Sequence, residues 1–275
     1  RAHPRGALVI QIKSRSELEV MAEAARVNRE AMDAVAGAVG VGVTTRELNA
    51  IAEDAIVSRG GTPAFKGYGG SPTVPPFPGT LCTSVNEVVV HGIPGERPLA
   101  DGDIVSVDIG TFYRGFAADL ARTFAVGDVP EEARRLIDAT ERSLEAGIAA
   151  AQVGNRLGDV SAAIQGVVEA DGFWVVREFV GHGIGREFHE DPEVPNYGRA
   201  GTGPVLRPGL VLAIEPMVTT RSTRVVVQDD GWTASTADGS LAAHVEHTVA
   251  VTEDGPWVLT AGSERAPATA GAPRR

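Results

Sequence analysis

Residues 104–124 read IVSVDIGTFYRGFAADLARTF, two runs rich in β-branched and apolar side chains on either side of Tyr113-Arg114-Gly115. That is the pattern of an antiparallel hairpin closed by a short turn. Each run carries one acid, Asp108 in the first and Asp119 in the second, so the hairpin brings two carboxylates to one place. An unpaired ionised carboxylate costs several kcal/mol to take out of water even after relaxation, so these acids need a strong counter-charge. A pair of divalent cations would supply it.

Further along the chain the same problem recurs. Val211-Leu212-Ala213-Ile214-Glu215-Pro216-Met217 places Glu215 in an apolar run, Glu246 sits beside another, and His182 lies in Gly181-His182-Gly183-Ile184-Gly185. Glycines there let the backbone pass close to a site. Strands are expected over 104–109, 116–124, 210–218 and 244–251. Singly, each residue has a plainer use: Asp119 could pair with Arg122, Glu246 could be an exposed position in the alternation His244, Glu246, Thr248, and Asp108 could cap a turn. Their joint occurrence at matched places in two halves favours a site.

The halves are defined by helices. Ser14 and Glu17 form a capping box ahead of Met21, Ala25, Asn28, Met32, Val35 and Val39, spaced by three and four as on one face of a helix. Thr44 and Glu47 form a second box ahead of Leu48, Ile51, Ala52, Ala55 and Ile56, with a stop near Gly60-Gly61. A third helix starts at Pro130 and runs to about Ala151, Gly154 breaks it, and a fourth over 157–170 ends at Asp171-Gly172. At one constant offset Gly42 aligns with Gly154, Leu48 with Val160, Ala52 with Ile164, Ala55 with Val167, Ile56 with Val168 and Gly60 with Gly172. This indicates internal duplication. Helices followed by antiparallel strands, twice over, give the class α+β.

Composition agrees with a single large domain: 275 residues, 43% hydrophobic, with mean hydropathy near zero. Apolar runs fall short of the roughly 18 to 20 residues that span a bilayer, and the first residues lack the apolar segment of a signal peptide, so a cytoplasmic protein with no membrane partner is expected. The single cysteine, Cys82, excludes an internal disulfide. A net charge of −11 argues against direct nucleic-acid binding. The expected organisation is an extension over 1–11, one large domain over 12–260 and a polar, disordered tail over 261–275.

The Gly181–Gly185 segment, His189 and Val194-Pro195-Asn196-Tyr197 resemble the signature of type I methionine aminopeptidases. Cys82-Thr83-Ser84-Val85-Asn86-Glu87, His91-Gly92-Ile93-Pro94, Val107-Asp108-Ile109-Gly110, Ile214-Glu215-Pro216-Met217, Asp230-Gly231-Trp232-Thr233 and Glu246-His247-Thr248 agree in order, over about residues 12–260. The resemblance implies a pita-bread fold with pseudo-two-fold symmetry around a dinuclear metal cleft. It implies that Asp108 chelates one ion, that Asp119 and Glu246 bridge both, and that His182 and Glu215 complete the second. Such a hard ligand set favours manganese, iron(II) or cobalt, with zinc admissible. The implied activity is removal of the amino-terminal methionine from nascent polypeptides, with a small second residue preferred. A metal-bridging hydroxide would attack the first peptide bond, and Glu215 would take and return the proton. His189 would hydrogen-bond the scissile carbonyl oxygen and His91 the peptide nitrogen. Tyr68, Phe77, Cys82, Phe188 and Trp232 would join these two histidines in the substrate pocket. A monomer is expected, with transient ribosome association left open.

One departure stands out: residues 71–76 separate Gly67-Tyr68-Gly69-Gly70 from Phe77-Pro78-Gly79-Thr80-Leu81-Cys82, which the family joins directly, so the place of Phe77 is open. With three prolines this insert is expected to be a stiff surface excursion. No zinc-finger spacing appears at the amino terminus. Prolidases and aminopeptidases P normally carry an additional amino-terminal domain, and few residues precede the first helix. A type II methionine aminopeptidase would need a large insertion between the His182 and Glu215 segments, which lie too close together here. A non-enzymatic relative would have lost ligands.

Overall fold

The structure, a computed structural model, describes residues 9–262. Most of the expected extension and all but the first residues of the expected tail lie outside the described residues. The first half runs α1 (Arg15–Ala36), α2 (Thr45–Ser58), β1 (Thr62–Pro63), β2 (Leu81–Val85), β3 (Val88–Val90), β4 (Ile104–Tyr113) and β5 (Phe116–Ala125). Next come α3 (Glu131–Ala150), α4 (Leu157–Ala170), β6 (Trp174–Val175), β7 (Gly181–Gly183), β8 (Glu190–Val194) and β9 (Val211–Ile214). The chain continues through β10 (Met217–Thr219), β11 (Val225–Val227), β12 (Ala234–Thr236), β13 (Ala242–His244), β14 (Glu246–Thr252) and β15 (Gly255–Val258).

Both capping boxes form. Ser14 Oγ accepts from the Glu17 N–H while Glu17 Oε2 accepts from the Ser14 N–H, and Thr44 and Glu47 repeat the exchange. The periodic residues of α1 point inward: Met21, Ala25, Asn28, Met32 and Val35 are all fully buried. Burying side chains such as Met32 and Val35 stabilises by about 1.5–3 kcal/mol each.

Nine strands form the main sheet, with the path β1-β4-β5-β14-β9-β7-β8, β2 adding to β4 and β15 to β14. The halves meet where β5 pairs with β14, Ala121 opposite Glu246 and Leu120 opposite His247. Outward from that seam the order is symmetric, β4 beyond β5 and β9 beyond β14. Each half has its own apolar core. Met32, Leu48, Ile56, Val107, Ile109 and Leu120 pack together in the first, and Leu144, Ile148, Val160, Ile164, Leu212 and Val249 in the second.

The aligned glycines show the duplication in the backbone itself. Gly42 has φ 89° and Gly154 φ 90°, while Gly60 has φ 77° and Gly172 φ 80°, left-handed conformations that favour glycine. Leu48, Ala52, Ala55 and Ile56 are buried, as are Val160, Ile164 and Val168, and only Val167 of the aligned set is half-buried. This is the pseudo-two-fold α+β arrangement expected. Among the described residues no helix is long and apolar enough to cross a membrane.

Two expected strands are broken. The run over 210–218 leaves the main sheet after Ile214, and β10 pairs instead with β13 and β6 in a separate three-stranded sheet. The run over 244–251 is likewise interrupted at Val245, whose N–H donates to Pro216 O at 3.3 Å. Pro216 has no N–H to give a ladder, so a strand reaching it cannot continue its pairing. Glu215 sits at the first break and Glu246 immediately after the second.

Candidate metal centre

Asp108 lies mid-strand in β4, opposite Ala121 on β5 and Cys82 on β2, while Asp119 on β5 lies opposite Gly110. Asp108 and Gly110 are two apart on one strand, so Asp119 is a diagonal neighbour of Asp108 on one face. Gly110 keeps that face open: a Cβ there would come within 2.6 Å of Phe188 and 2.8 Å of Phe65. Buried Asn28 pins the hairpin from α1, its Nδ2 donating to Ile109 O at 2.7 Å and Ala118 O at 3.0 Å.

His182 enters from β7 between glycines that no other residue could replace. A Cβ on Gly181 would lie 2.3 Å from Ala213 O, and one on Gly183 2.2 Å from Asp191 O. His182 Nδ1 is 2.8 Å from Gly183 O. A carbonyl only accepts, so Nδ1 carries the proton and Nε2 presents a lone pair. That lone pair faces Glu215 Oε1 at 3.6 Å and Asp119 Oδ2 at 3.8 Å. Glu215 and Asp119 thus turn carboxyl oxygens toward the His182 lone pair, an arrangement that a divalent cation fits. Glu215 is placed by Asn196, part of the Val194–Tyr197 segment, whose Nδ2 donates to Glu215 O at 3.0 Å.

Three buried polar atoms at this point lack any hydrogen-bond partner: Asp108 Oδ1, Glu246 Oε1 and His244 Nε2. Ligand atoms of Asp119, His182 and Glu246 lie within 4.8 Å of one another, as do those of Glu215, His244 and Glu246. The two sets share Glu246, so the residues fit divalent-ion binding at this point.

Without positive charge the site rejects ionisation. Burial pushes the Asp108 carboxyl up to about 6, with Glu215 adding to it and His244 opposing it, and pushes Glu215 up to about 8. Asp119 and Glu246 rise well above the usual carboxylate range, first through burial and then through their acidic neighbours. Burial, then His189, drives His182 down to about 3, so its ring is neutral as a metal ligand requires.

All five candidate ligands line one cavity of about 140 Å³ together with every expected pocket residue: Tyr68, Phe77, Cys82, His91, Phe188, His189 and Trp232. Phe65 completes the wall from a loop without periodicity, which gives the sequence no signal for it. Edge-on ring contacts join Phe65 to Phe188 at 5.3 Å and Phe77 to Trp232 at 5.5 Å. Phe77 is buried despite the insert before it. The insert itself reaches the cavity rim: Pro75 O accepts from Trp232 Nε1 at 2.9 Å, and Val74 fills the space beside Gly231. Tyr68 OH is 2.7 Å from His189 Nδ1 at the mouth. Cys82 is buried with its thiol pushed up by burial and the neighbouring acids, which makes it a wall residue and no nucleophile. A larger cavity of about 560 Å³ behind the β5–β14 seam is lined by residues such as Arg29 and Asp33, which pair with each other.

The plainer uses of the acids do not occur. The Arg122 guanidinium lies over the Phe124 ring, Glu246 is 1% exposed, and Asp108 is inside a strand.

The model for metallopeptidase family M24 matches residues 19–253. The chain is 53% identical over 252 residues to a methionine aminopeptidase of Clostridium perfringens, covering 92% of this chain and 99% of that one. It is 46% identical over 252 residues to methionine aminopeptidase 1 of Bacillus subtilis, again covering 92% and 99%. The solved methionine aminopeptidase of Thermotoga maritima superposes with a TM-score of 0.89 at 47% identity, over 92% of this chain and 100% of that one. A prolidase from Pyrococcus furiosus shares the fold alone, with a TM-score of 0.72 at 22% identity over 92% of this chain and 66% of that one. The chain belongs to metallopeptidase family M24 and, within it, to the methionine aminopeptidases, which have the pita-bread fold.

Proposed function

We propose that this metallopeptidase removes the amino-terminal methionine from nascent polypeptides in the cytoplasm, as a monomer, preferring a small second residue. The observation that carries the reading is the convergence of unpartnered buried ligand atoms on a cavity walled by aromatic rings. Asp108, Asp119 and Glu246 would hold one divalent ion, and Asp119, Glu246, His182 and Glu215 the other. The donor set of four carboxylates and one imidazole suits manganese, iron(II) or cobalt, with zinc admissible. When bound, such ions supply Lewis acidity, lowering the pKa of water and polarising a carbonyl.

The remaining steps belong to the chain. Glu215, which burial holds up to about 8 before cations enter, takes and returns a proton at its carboxylate oxygens. If the Tyr68 hydroxyl donates to His189 Nδ1, then His189 Nε2 carries a proton and is free to donate to the scissile carbonyl oxygen. His91 would face the peptide nitrogen. Phe65, Phe77, Phe188 and Trp232 enclose the first side chain, and burying a methionine there stabilises by roughly 1.5–3 kcal/mol. A charged first side chain would be desolvated without compensation. Docking at the ribosomal exit would be transient.

The test is methionine release from Met-Ala-Ser, compared with cleavage of Ala-Pro peptides, with and without added metal. Metal-dependent release from Met-Ala-Ser is expected, with little action on Ala-Pro peptides, Lys-Ala-Ser or formyl-Met-Ala-Ser. Comparable turnover of all four contradicts the reading.

A further inference from the structure

Glu215 lies between two imidazoles, with one carboxylate oxygen turned to each. Its Oε1 is 3.6 Å from His182 Nε2, and its Oε2 is 3.5 Å from His244 Nε2. His182 belongs to the ligand set that the sequence offers. His244 does not, and its environment is as deliberate. The ring is 2% exposed, and its Nε2 has no hydrogen-bond partner. Its backbone is clamped by the first-half hairpin: the His244 N–H is 3.2 Å from Ser106 Oγ and 3.1 Å from Thr123 Oγ1, and its carbonyl accepts from Thr123 Oγ1 at 2.8 Å. An unpaired polar atom held in a buried place costs about 1–3 kcal/mol. A leucine would avoid that cost.

The two imidazoles stand in opposite chemical relations to Glu215. His182 Nδ1 is committed to Gly183 O, so its Nε2 is an acceptor placed to meet a cation beside Oε1. Nothing among the described hydrogen bonds commits the His244 ring, so its Nε2 can carry the proton and meet Oε2 as donor to acceptor. The 3.5 Å separation is just beyond a normal N–H···O bond, a gap that a small turn of either side chain closes. Charge-assisted bonds to an ionised carboxylate are shorter and about twice as strong.

We infer that His244 is a positioning residue for the metal centre, donating from Nε2–H to Glu215 Oε2 so that Oε1 stays turned toward the ion shared with His182. The inference rests on the metal centre proposed above and extends it by one side chain. Direct coordination is the competing outcome, because ligand atoms of Glu215, His244 and Glu246 lie within 4.8 Å of one another. The one-oxygen-per-imidazole geometry favours positioning.

The test measures manganese or cobalt affinity of the full chain by chelator competition. His244→Leu removes the donor and should weaken binding about 10- to 100-fold, the usual effect of losing an outer partner of a ligand. His244→Gln keeps an N–H and should stay within a few-fold of the parent. If the leucine variant fails to fold, His244→Asn, whose shorter amide falls away from Oε2, replaces it and should weaken binding likewise. In a Glu215→Gln background, His244→Leu should add nothing further. X-ray absorption of the cobalt-loaded protein should show the same imidazole content in the parent and in His244→Gln. Unchanged affinity in His244→Leu or His244→Asn overturns the inference, and loss of imidazole scattering in His244→Gln replaces it with direct coordination. Failure of the centre itself looks different: the parent would bind no divalent ion, or His182→Ala would bind as tightly as the parent.

Discussion

The two halves of the molecule present acids to the same cavity by different means. In the first, β4 and β5 pair without interruption from Ile104 opposite Ala125 to Tyr113 opposite Phe116, and Asp108 and Asp119 are ordinary positions within that ladder. In the second, β9 stops at Ile214, the chain crosses to another sheet after Pro216, and β13 and β14 are separated by Val245. Glu215, His244 and Glu246 all lie at or beside these breaks. The intact hairpin gives a rigid floor that holds its two carboxyl groups in one place. The broken half frees backbone from the ladder, so side chains there can be turned toward one another and supported individually. The group proposed to move a proton, Glu215, stands on the broken half.

The largest expected effect tests the floor and the seam together. Asp119→Ala or Glu246→Ala should reduce methionine release to background, because each acid is proposed to serve both ions; metal analysis should show lost metal while circular dichroism shows a retained fold. Unfolding instead would mean that the acids serve the sheet. Next comes His189, outside both strand pairs: His189→Ala should lower kcat by roughly 10² to 10³ with both metals retained, as for one lost oxyanion donor. A fall in metal content that accounts for the whole loss would make His189 a ligand.

Two asparagines separate the halves more finely. Asn28 ties α1 to the continuous hairpin, so Asn28→Ala should destabilise by about 1–3 kcal/mol in urea unfolding, through the carbonyls of Ile109 and Ala118 left unpaired. Asn196 supports the broken half at Glu215 O, and Asn196→Ala should weaken metal binding about 10- to 100-fold. If both variants lose only stability, the two halves do not differ as described. The smallest effect concerns the rim. Deleting residues 71–76 removes the Trp232 Nε1 to Pro75 O bond, worth about 1 kcal/mol, and should shift the relative rates on Met-Ala and Met-Val peptides about 5-fold while the fold and both metals remain. Unchanged relative rates would place the insert off the substrate path.

Much of this was legible in the chain because it was local or repeated. The capping boxes at Ser14 and Thr44 fix helix starts within a few residues, and the 104–124 hairpin declares both strands and their turn. The five ligand candidates announce themselves as acids and one imidazole where apolar residues belong. The strand breaks were not legible, because hydrophobic alternation continues unchanged when a strand leaves one sheet for another, and Pro216 alone hinted at the switch. His244 was hidden for the same reason: it reads as one more position in an alternation until the frame of Ser106 and Thr123 is known. Phe65 and the contact of Pro75 with Trp232 join distant loops, for which no spacing rule exists.

Burial and mutual repulsion favour the protonated form of these acids until divalent cations enter. Manganese titrated calorimetrically into metal-free protein near pH 7, in two buffers of different ionisation enthalpy, counts the protons displaced. Burial holds Glu215 up to about 8, so Glu215 keeps its proton near pH 7 in the metal-free site, and burial with neighbouring acids shifts Asp119 and Glu246 in the same direction. Net proton release on binding is therefore predicted, with affinity that rises as pH increases toward 8 and falls in acid. Tight binding with no proton release, and with an affinity that does not change across this pH range, would contradict it.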